Sequence, residues 1–324
     1  MPIDPERDGV GMILLWGLPE DDPLDAVFRA LQRSGAPVVL VDQYEVLDSS
    51  LRLRVTCEVE GVLRVGSQEV RLEQISAAYI RPYDSCGLLC GRAAHPQSST
   101  YRHAIEFDAC LRAWLEMTTA CVVNPMRAMA GNNSKPFQTA QIQAMGFQIP
   151  ETLVTTDPEA VRAFWECHGR VIYKSLSGVR SIVSQLSPAQ MTRLDDITWC
   201  PTQFQQYVSG TDVRVHIVGD RLFACEILSD ADDYRYAGRQ GLSVGMRPCD
   251  LPSECASRCL ELAKAMRLAV AGVDLRRTPD DQWYCFEVNP SPGFTYFQAQ
   301  TGQAIDRAIA ELLLQAPLPL GYCG

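Results

Sequence analysis

Two short stretches carry the strongest signal in the chain: Gly272-Val273-Asp274-Leu275, and Phe286-Glu287-Val288-Asn289-Pro290-Ser291-Pro292-Gly293. Each contains an apolar run that predicts a buried strand, and each strand carries an acid. Because side chains alternate along a strand, Glu287 and Asn289 share one face. Asp274, Glu287 and Asn289 offer oxygen ligands only, which is the donor set that Mg²⁺ prefers. The pattern therefore predicts a site for a hard cation that also bridges phosphates.

The plainer alternative is that these acids pair with arginines such as Arg276 or cap turns, as isolated acids on strands commonly do. The prolines and the glycine after Asn289 favour the metal site. They fix a rigid turn in which the backbone approaches a ligand closely.

Length and charge limit the classes of protein to which the chain can belong. Its 324 residues suit two or three modules with a buried core. A net charge of −10 argues against a protein built to coat nucleic acid or an anionic membrane. Because no stretch approaches the ~20 apolar residues of a membrane helix, we expect a soluble protein with neither partner.

Cysteine usage indicates a reducing compartment. The count of 13 is odd, and Met1 to Gly9 is charged and proline-containing rather than a secretory leader. The pairs Cys86/Cys90 and Cys255/Cys259 lack a second pair or a histidine at zinc-site spacing. We expect reduced thiols and a cytoplasmic location.

The order of predicted elements divides the chain into three modules of mixed α/β and α+β class. A βαβ beginning places the first module at residues 1–125, where Asn124-Pro125 is a turn typical of a junction. A central module is predicted at 126–205 and a third at 206–324. The third opens with an antiparallel hairpin from Asp212 to Leu228.

Lysine is scarce, since only Lys135, Lys174 and Lys264 occur. Lys174 ends an apolar strand and precedes a small-residue loop whose amide groups are suited to phosphate oxygens. Lys135 begins a predicted helix, where its charge opposes the helix dipole. A solvated lysine at a strand end is the plainer interpretation of Lys174.

The segment from Phe204 to Val208 joins two modules, and a strand with free backbone edges suits a flat purine ring. A simple linker strand would have the same pattern. Asp212 and Arg214 alternate onto one face, where the acid would reach a ribose and the guanidinium an anion. The alternative is a surface ion pair across the strand, and His216 on the same face is expected to be a packed histidine.

Further arginines supply a local basic site in an acidic protein. Arg235 lies in a polar loop, 230–241, of a length that is often functional, with a solvated loop as the alternative. Arg81 ends a strand of the first module.

Taken in order, these motifs resemble the ATP-grasp superfamily, and within it the branch of the ribosomal-protein glutamate ligase and the microviridin-type peptide ligases. The matching portion runs from about Asn124 to Leu314. It comprises Asn133-Ser134-Lys135, Ile172-Tyr173-Lys174, Gln205 to Val208, Gly210 to Arg214, Asp233 to Arg235, Gly272 to Asp274 and Glu287 to Pro290.

The resemblance implies an ATP-grasp fold with a pre-ATP-grasp α/β domain, a small central domain and a C-terminal antiparallel-sheet domain. It implies the cofactors ATP and Mg²⁺, with Mn²⁺ as the alternative metal. Its implied site residues are Lys135 and Lys174 for the phosphates, Gln206, Tyr207 and Val208 for adenine, Asp212 for the ribose, Asp274, Glu287 and Asn289 for the metal, Arg235 and Arg214 for catalysis, and Arg81 for substrate.

Two departures from the family pattern concern the nucleotide. The loop after Lys174 has Gly178 but not the richer glycine pattern of many relatives. Gln206 stands where an acid is common.

The expected activity is ligation of a carboxylate to an amine through an acyl phosphate, on an amino acid or a peptide. A nucleotide-binding regulatory module and an ATP-grasp kinase are the alternatives, and a homodimer is the default assembly.

Overall fold

The computed structural model describes residues 11–56, 59–85, 87–88, 95, 98–130, 134–176, 183–229 and 243–317. Within these ranges the strands form four sheets. In the same ranges, no helix is long and apolar enough to cross a bilayer. The predicted positions Asn133, Gly178 and Arg235 lie outside the described residues.

The N-terminal sheet is parallel, with strand order β2-β1-β6-β7. Its two central strands, β1 and β6, are almost wholly buried because apolar clusters cover both faces of the sheet, and this explains their continuous apolar sequences. A three-stranded antiparallel sheet, β3-β4-β5, is inserted before β6. The elements are β1 (Met12–Gly17), α1 (Asp22–Arg33), β2 (Val38–Asp42), β3 (Ser49–Val55), β4 (Val59–Val65), β5 (Gln68–Arg71), β6 (Ile75–Arg81), α2 (Ser99–Met117) and β7 (Cys121–Val123).

The central sheet is small and antiparallel, with order β10-β9-β11-β8. A helix covers one face, where Val161 packs against Val171 and Phe204. The opposite face carries Lys174 and Gln205. The elements are α3 (Met126–Met129), α4 (Lys135–Ala144), β8 (Thr152–Thr155), α5 (Pro158–His168), β9 (Val171–Ser175), β10 (Ser184–Gln185), α6 (Pro188–Met191) and β11 (Thr202–Gln206).

The C-terminal sheet is antiparallel, with order β14-β13-β12-β15-β16. One face packs on α7 through an apolar cluster that includes Val215, Leu262 and Val273. The other face carries the charged residues of β12 and β15. The elements are β12 (Thr211–Val218), β13 (Arg221–Leu228), β14 (Gly245–Pro248), α7 (Ser253–Ala265), β15 (Val270–Arg277), β16 (Trp283–Asn289), α8 (Thr295–Thr301) and α9 (Ile305–Leu314).

Helix α4 packs on the C-terminal sheet although it precedes the central sheet in sequence. Ile142 and Phe147 belong to the same apolar cluster as Val215 and Val273, and the Cys285 N–H donates to the Gln148 carbonyl at 2.9 Å. The predicted fold class is confirmed by this architecture. The predicted module boundaries at 125 and 205 remain predictions, and the segment that carries Lys135 rests on the third module.

Candidate active site

A cleft of about 760 Å³, including its solvent-open mouth, lies between the central sheet and the charged face of the C-terminal sheet. Both sheets contribute polar and apolar groups, and six of the predicted site residues are among them. Its lining comprises Ile172, Lys174, Val183, Gln205, Tyr207, Val208, Asp212, Val213, Ile227, Asp274, Leu275, Arg276, Phe286 and Glu287.

The two acids lie at one end of this cleft. Asp274 and Glu287 are direct partners in the register of β15 and β16, and β15 has an irregularity immediately after Asp274. Asn289 follows two residues later on the face of Glu287, and its Oδ1 accepts a hydrogen bond from the Ser291 N–H at 2.9 Å. The strand pairing thus brings together the three residues predicted for the metal.

The donor set fits Mg²⁺ rather than a softer metal. Two carboxylates and one amide oxygen are hard ligands, and Mg²⁺ commonly takes one or two carboxylates and completes its shell with waters and phosphates. Among the described residues, no group of three or more histidine, cysteine, aspartate or glutamate side chains is placed to hold a metal ion. An all-protein cage of the zinc type is therefore absent from this part of the chain.

Arg214 is buried beside the acids, and its Nη1 donates to Asp274 Oδ1 at 2.6 Å. The guanidinium also lies 5.6 Å from the Phe297 ring centroid. Gly272 makes room for it, because a Cβ there would lie 2.2 Å from Arg214 Nη2. The expected alternative, in which the acids pair with arginines such as Arg276, is met at Asp274, and the arginine is Arg214.

Two further neighbours of Arg214 are uncharged. Burial, followed by the charge of Arg214, lowers the pKa of His216 well below its usual value. Burial also raises the pKa of Cys225 to about 11. With a neutral imidazole and a protonated thiol beside it, the ion pair of Arg214 with Asp274 supplies the charges of this patch.

The other end of the cleft is partly aromatic. Asp212 pairs with Arg276, its register partner on β15, at 2.7 Å, which is the ion pair across the strand that was the expected alternative. Arg276 also donates to the Val208 carbonyl at 2.8 Å. Its guanidinium lies 5.9 Å from the Tyr207 ring centroid and 5.3 Å from that of Phe286. The predicted adenine and ribose residues Tyr207, Val208 and Asp212 are thus connected through one arginine.

Gln205, and not Gln206, is among the residues that line the cleft. The Gln206 side chain accepts from the Glu151 N–H at 3.4 Å, outside the cleft. Thr152 donates its single hydroxyl proton to the Pro150 carbonyl at 2.9 Å, so it must accept from Gln205 Nε2, which lies 2.9 Å away.

The amide orientation of Gln205 is thereby fixed, with its Oε1 as the remaining group. Gln205 is 2% exposed, and Oε1 is buried without a hydrogen-bond partner among the described residues. Gln205 is not among the site residues predicted from the sequence. Strand alternation with Lys174 on the paired strand was the signal that would have favoured Gln205 over its neighbour.

Lys135 and Lys174, the two lysines predicted to contact phosphates, both lie next to Ser175. Lys174 is buried in the cleft wall at the end of β9. Lys135 lies at the start of α4, and its Nζ donates to the Ser175 carbonyl at 3.1 Å. The prediction that both contact phosphates is untested by the structure, but the fold brings both cations to the same strand end.

Arg81 lies outside the cleft lining, and its contacts connect the N-terminal domain to the turn after Asn289. Its guanidinium pairs with Asp21, the N-cap of α1, at 2.6 Å. Its Nη1 donates to Ser291 Oγ at 2.8 Å and to the Pro292 carbonyl at 3.3 Å. These bonds favour a structural tie, and the predicted substrate role of Arg81 stays a prediction.

Comparisons with known proteins agree on one family. The model of the RimK-like ATP-grasp domain matches residues 137–313. A relative from Photobacterium profundum, named "Probable alpha-L-glutamate ligase", is 27% identical over an alignment of 290 residues that covers 85% of this chain and 94% of that protein.

Solved structures show the same fold. The macrocyclase MdnC from Microcystis aeruginosa MRC, bound with the precursor peptide MdnA, has a TM-score of 0.77 at 23% identity and covers 94% of this chain and 99% of its own. The ATP-grasp ligase PsnB, complexed with a variant of its minimal precursor, Mg and ADP, has a TM-score of 0.74 at 24% identity and covers 93% and 97%.

Proposed function

Because this chain belongs to the RimK-like ATP-grasp family, we propose that it is an ATP-dependent ligase that joins a carboxylate of a peptide to an amine. The observation that carries the proposal is that one cleft is lined by Lys174, Asp274 and Glu287 together with Tyr207, Val208 and Asp212. The expectation of an ATP-grasp carboxylate–amine ligase is confirmed by the family match. The peptide is the finer part, supported by the precursor peptides bound to MdnC and PsnB.

In this proposal the nucleotide spans the cleft. Adenine lies against Tyr207 and Val208, and its 6-amino group donates to Gln205 Oε1. The ribose hydroxyls meet Asp212. Lys135 and Lys174 neutralise the phosphates, where fixed cations are effective because the site is partly desolvated.

Asp274, Glu287 and Asn289 would hold Mg²⁺, with Mn²⁺ as the alternative metal; the bound ion would neutralise charge on the triphosphate. The Mg and ADP bound to PsnB support this choice. The fit rests on hard oxygen donors that converge from two paired strands.

Chemistry then proceeds in two steps without a protein nucleophile. The substrate carboxylate attacks the γ-phosphorus, which releases ADP and leaves an acyl phosphate. The amine attacks the acyl carbon, and inorganic phosphate departs as the amide forms. Arg214, and Arg235 from the polar loop, would stabilise the negative oxygens of the acyl phosphate.

The proposal also includes a cellular location, an assembly and a second substrate class. We place the protein in the cytoplasm, where ATP is available and where the free cysteines of the described residues would stay reduced. A homodimer remains the expected assembly. A free amino acid in place of the peptide is the second substrate class, supported by the name of the glutamate ligase relative.

The test is ADP release with Mg-ATP and pools of acidic peptides or amino acids, in the presence of hydroxylamine, which traps an acyl phosphate as a hydroxamate. Glu287→Gln should abolish turnover, whereas Glu311→Gln, at an exposed ion pair with Arg221, should not. ADP release with neither hydroxamate nor amide would indicate a kinase instead. ATP binding with no turnover on any pool would favour the regulatory module.

A further inference from the structure

The backbone that carries the proposed metal ligands is held from outside its own sheet. Strand β16 lies at the edge of the C-terminal sheet, so one row of its N–H and C=O groups has no neighbouring strand. At Val288, the side chain of Gln138 takes the position of a neighbouring strand, and Gln138 is 3% exposed. Its Nε2 donates to the Val288 carbonyl at 2.6 Å, and its Oε1 accepts from the Val288 N–H at 3.0 Å.

Val288 lies between Glu287 and Asn289. A side-chain amide that binds both polar groups of one residue fixes that residue in position and in rotation about the strand axis. The two flanking side chains, which project to the opposite face from the side chain of Val288, are oriented with it.

The turn after β16 is held in the same manner. Asn124 Nδ2 donates to the Pro290 carbonyl at 2.6 Å, while its Oδ1 accepts from the Val270 N–H at 3.1 Å. Arg81 binds Ser291 and Pro292, as described above. Of Asn124, Arg81 and Gln138, it is Gln138 that lies on the same helix as Lys135, one of the two lysines proposed to bind the phosphates.

The shared helix is α4. Gln138 lies one turn after Lys135, which contacts the Ser175 carbonyl at 3.1 Å. One short helix therefore presents a cation toward the strand end of Lys174 and an amide toward the strand of Glu287. Because the two side chains are three positions apart on one helix, rigid backbone sets the spacing between the points where the lysine and the amide are attached.

We propose that Gln138 is a positioning residue, which sets Glu287 and Asn289 against Lys135 so that a metal ion and the phosphates are bound together. The inference rests on the proposed function. It predicts that Gln138 governs how strongly Mg²⁺ tightens nucleotide binding, and that it leaves the base-binding end of the cleft unaffected.

The experiment is calorimetric titration of the full chain with ADP, with and without Mg²⁺, for the native protein, Gln138→Met and Gln143→Met. Met has a similar length and lacks the amide. Gln143 is exposed on the same helix and serves as the matched control. Removing groups that orient metal ligands typically weakens metal affinity by about 10- to 100-fold.

For Gln138→Met we expect the Mg²⁺-dependent tightening of ADP binding to fall about tenfold, with metal-free ADP affinity unchanged within about twofold. Full retention of the tightening would overturn the inference. A native protein that binds no ADP, or binds it without any Mg²⁺ effect, would instead overturn the proposed function.

If Gln138→Met does not fold, Gln138→Glu decides. Its ionised carboxylate accepts from the Val288 N–H and repels the Val288 carbonyl, whereas the protonated acid can bond to both. The Mg²⁺ effect should then recover as the pH falls from 8 toward 5.5, relative to the native protein. A Mg²⁺ effect in Gln138→Glu that follows the native protein at every pH would refute the positioning role.

Discussion

Replacement of Gln205 by methionine should change which nucleotide base the protein prefers. The substitution keeps the length of the side chain and removes the buried Oε1 of a residue that lines the cleft. The Thr152 hydroxyl retains its bond to the Pro150 carbonyl. The local fold should therefore survive the change.

The magnitude follows from one neutral hydrogen bond. An acceptor that receives the adenine 6-amino group contributes about 0.5–1.5 kcal/mol, which corresponds to about 2- to 12-fold in the dissociation constant. Inosine triphosphate places a carbonyl oxygen against Gln205 Oε1 and cannot form this bond; Oε1 already lacks a partner among the described residues, so the gained bond alone distinguishes ATP. The ATP-to-ITP preference of Gln205→Met should therefore fall about 2- to 12-fold below that of the native protein.

The assay is competitive displacement of a fluorescent ATP analogue by ATP and by ITP. Gln203→Met is the matched control, because Gln203 lies two residues earlier on the same strand face. It is equally buried and also has an Oε1 without a partner among the described residues, but it is not part of the cleft lining. If the ratio of the ATP and ITP affinities is unchanged in Gln205→Met, or falls equally in Gln205→Met and Gln203→Met, the assignment of the Gln205 end of the cleft to adenine is refuted.

Three further predictions concern the surroundings of the cleft. Gly272→Ala should displace Arg214 and lower the turnover number about tenfold or more in the ligase assay, and native turnover would show that the guanidinium is not needed there. Arg81→Met and Asp21→Asn should each lower the free energy of unfolding by about 3 kcal/mol in urea titrations; a double variant that is simply additive would contradict their pairing. Because the pKa of His216 is lowered on folding, the unfolded chain alone takes up this proton below pH about 6.5, and the native state loses stability as the pH falls. In His216→Gln the loss of unfolding free energy between pH 7.5 and 5.5 should be smaller by about 1.4 kcal/mol, and an equal loss would contradict the burial of a neutral imidazole.

The acid pair and the order of the motifs were predictable from sequence because they depend on local patterns. Alternation placed Glu287 and Asn289 on one face, and the apolar run before Lys174 marked the strand end. These periodicities are properties of a single strand. Pairing between β15 and β16 then placed Asp274 opposite Glu287, which required only a short turn.

Contacts between distant segments were not predictable in the same way. The tie between Arg81 and Asp21 joins the end of one strand to the cap of a helix 60 residues earlier. The place of Gln205 in the cleft depends on which face of the central sheet is turned toward the C-terminal sheet. The resemblance to a family favoured Gln206, whose side chain the structure places outside the cleft. The short helix α8, which brings Phe297 onto Arg214, also lacked a strong periodic signal.

Gln138 and Asn124 both bind main-chain atoms, and this has a consequence for how such residues would be detected in a set of related sequences. A side chain that contacts another side chain leaves a correlated pair of substitutions. A side chain that binds a peptide group has a partner of constant chemistry, whatever residue supplies it. The two amides should therefore be constrained singly, without correlated positions at Val288 or Pro290, and maps of coupled substitutions would omit the contacts that orient the acid-bearing strand.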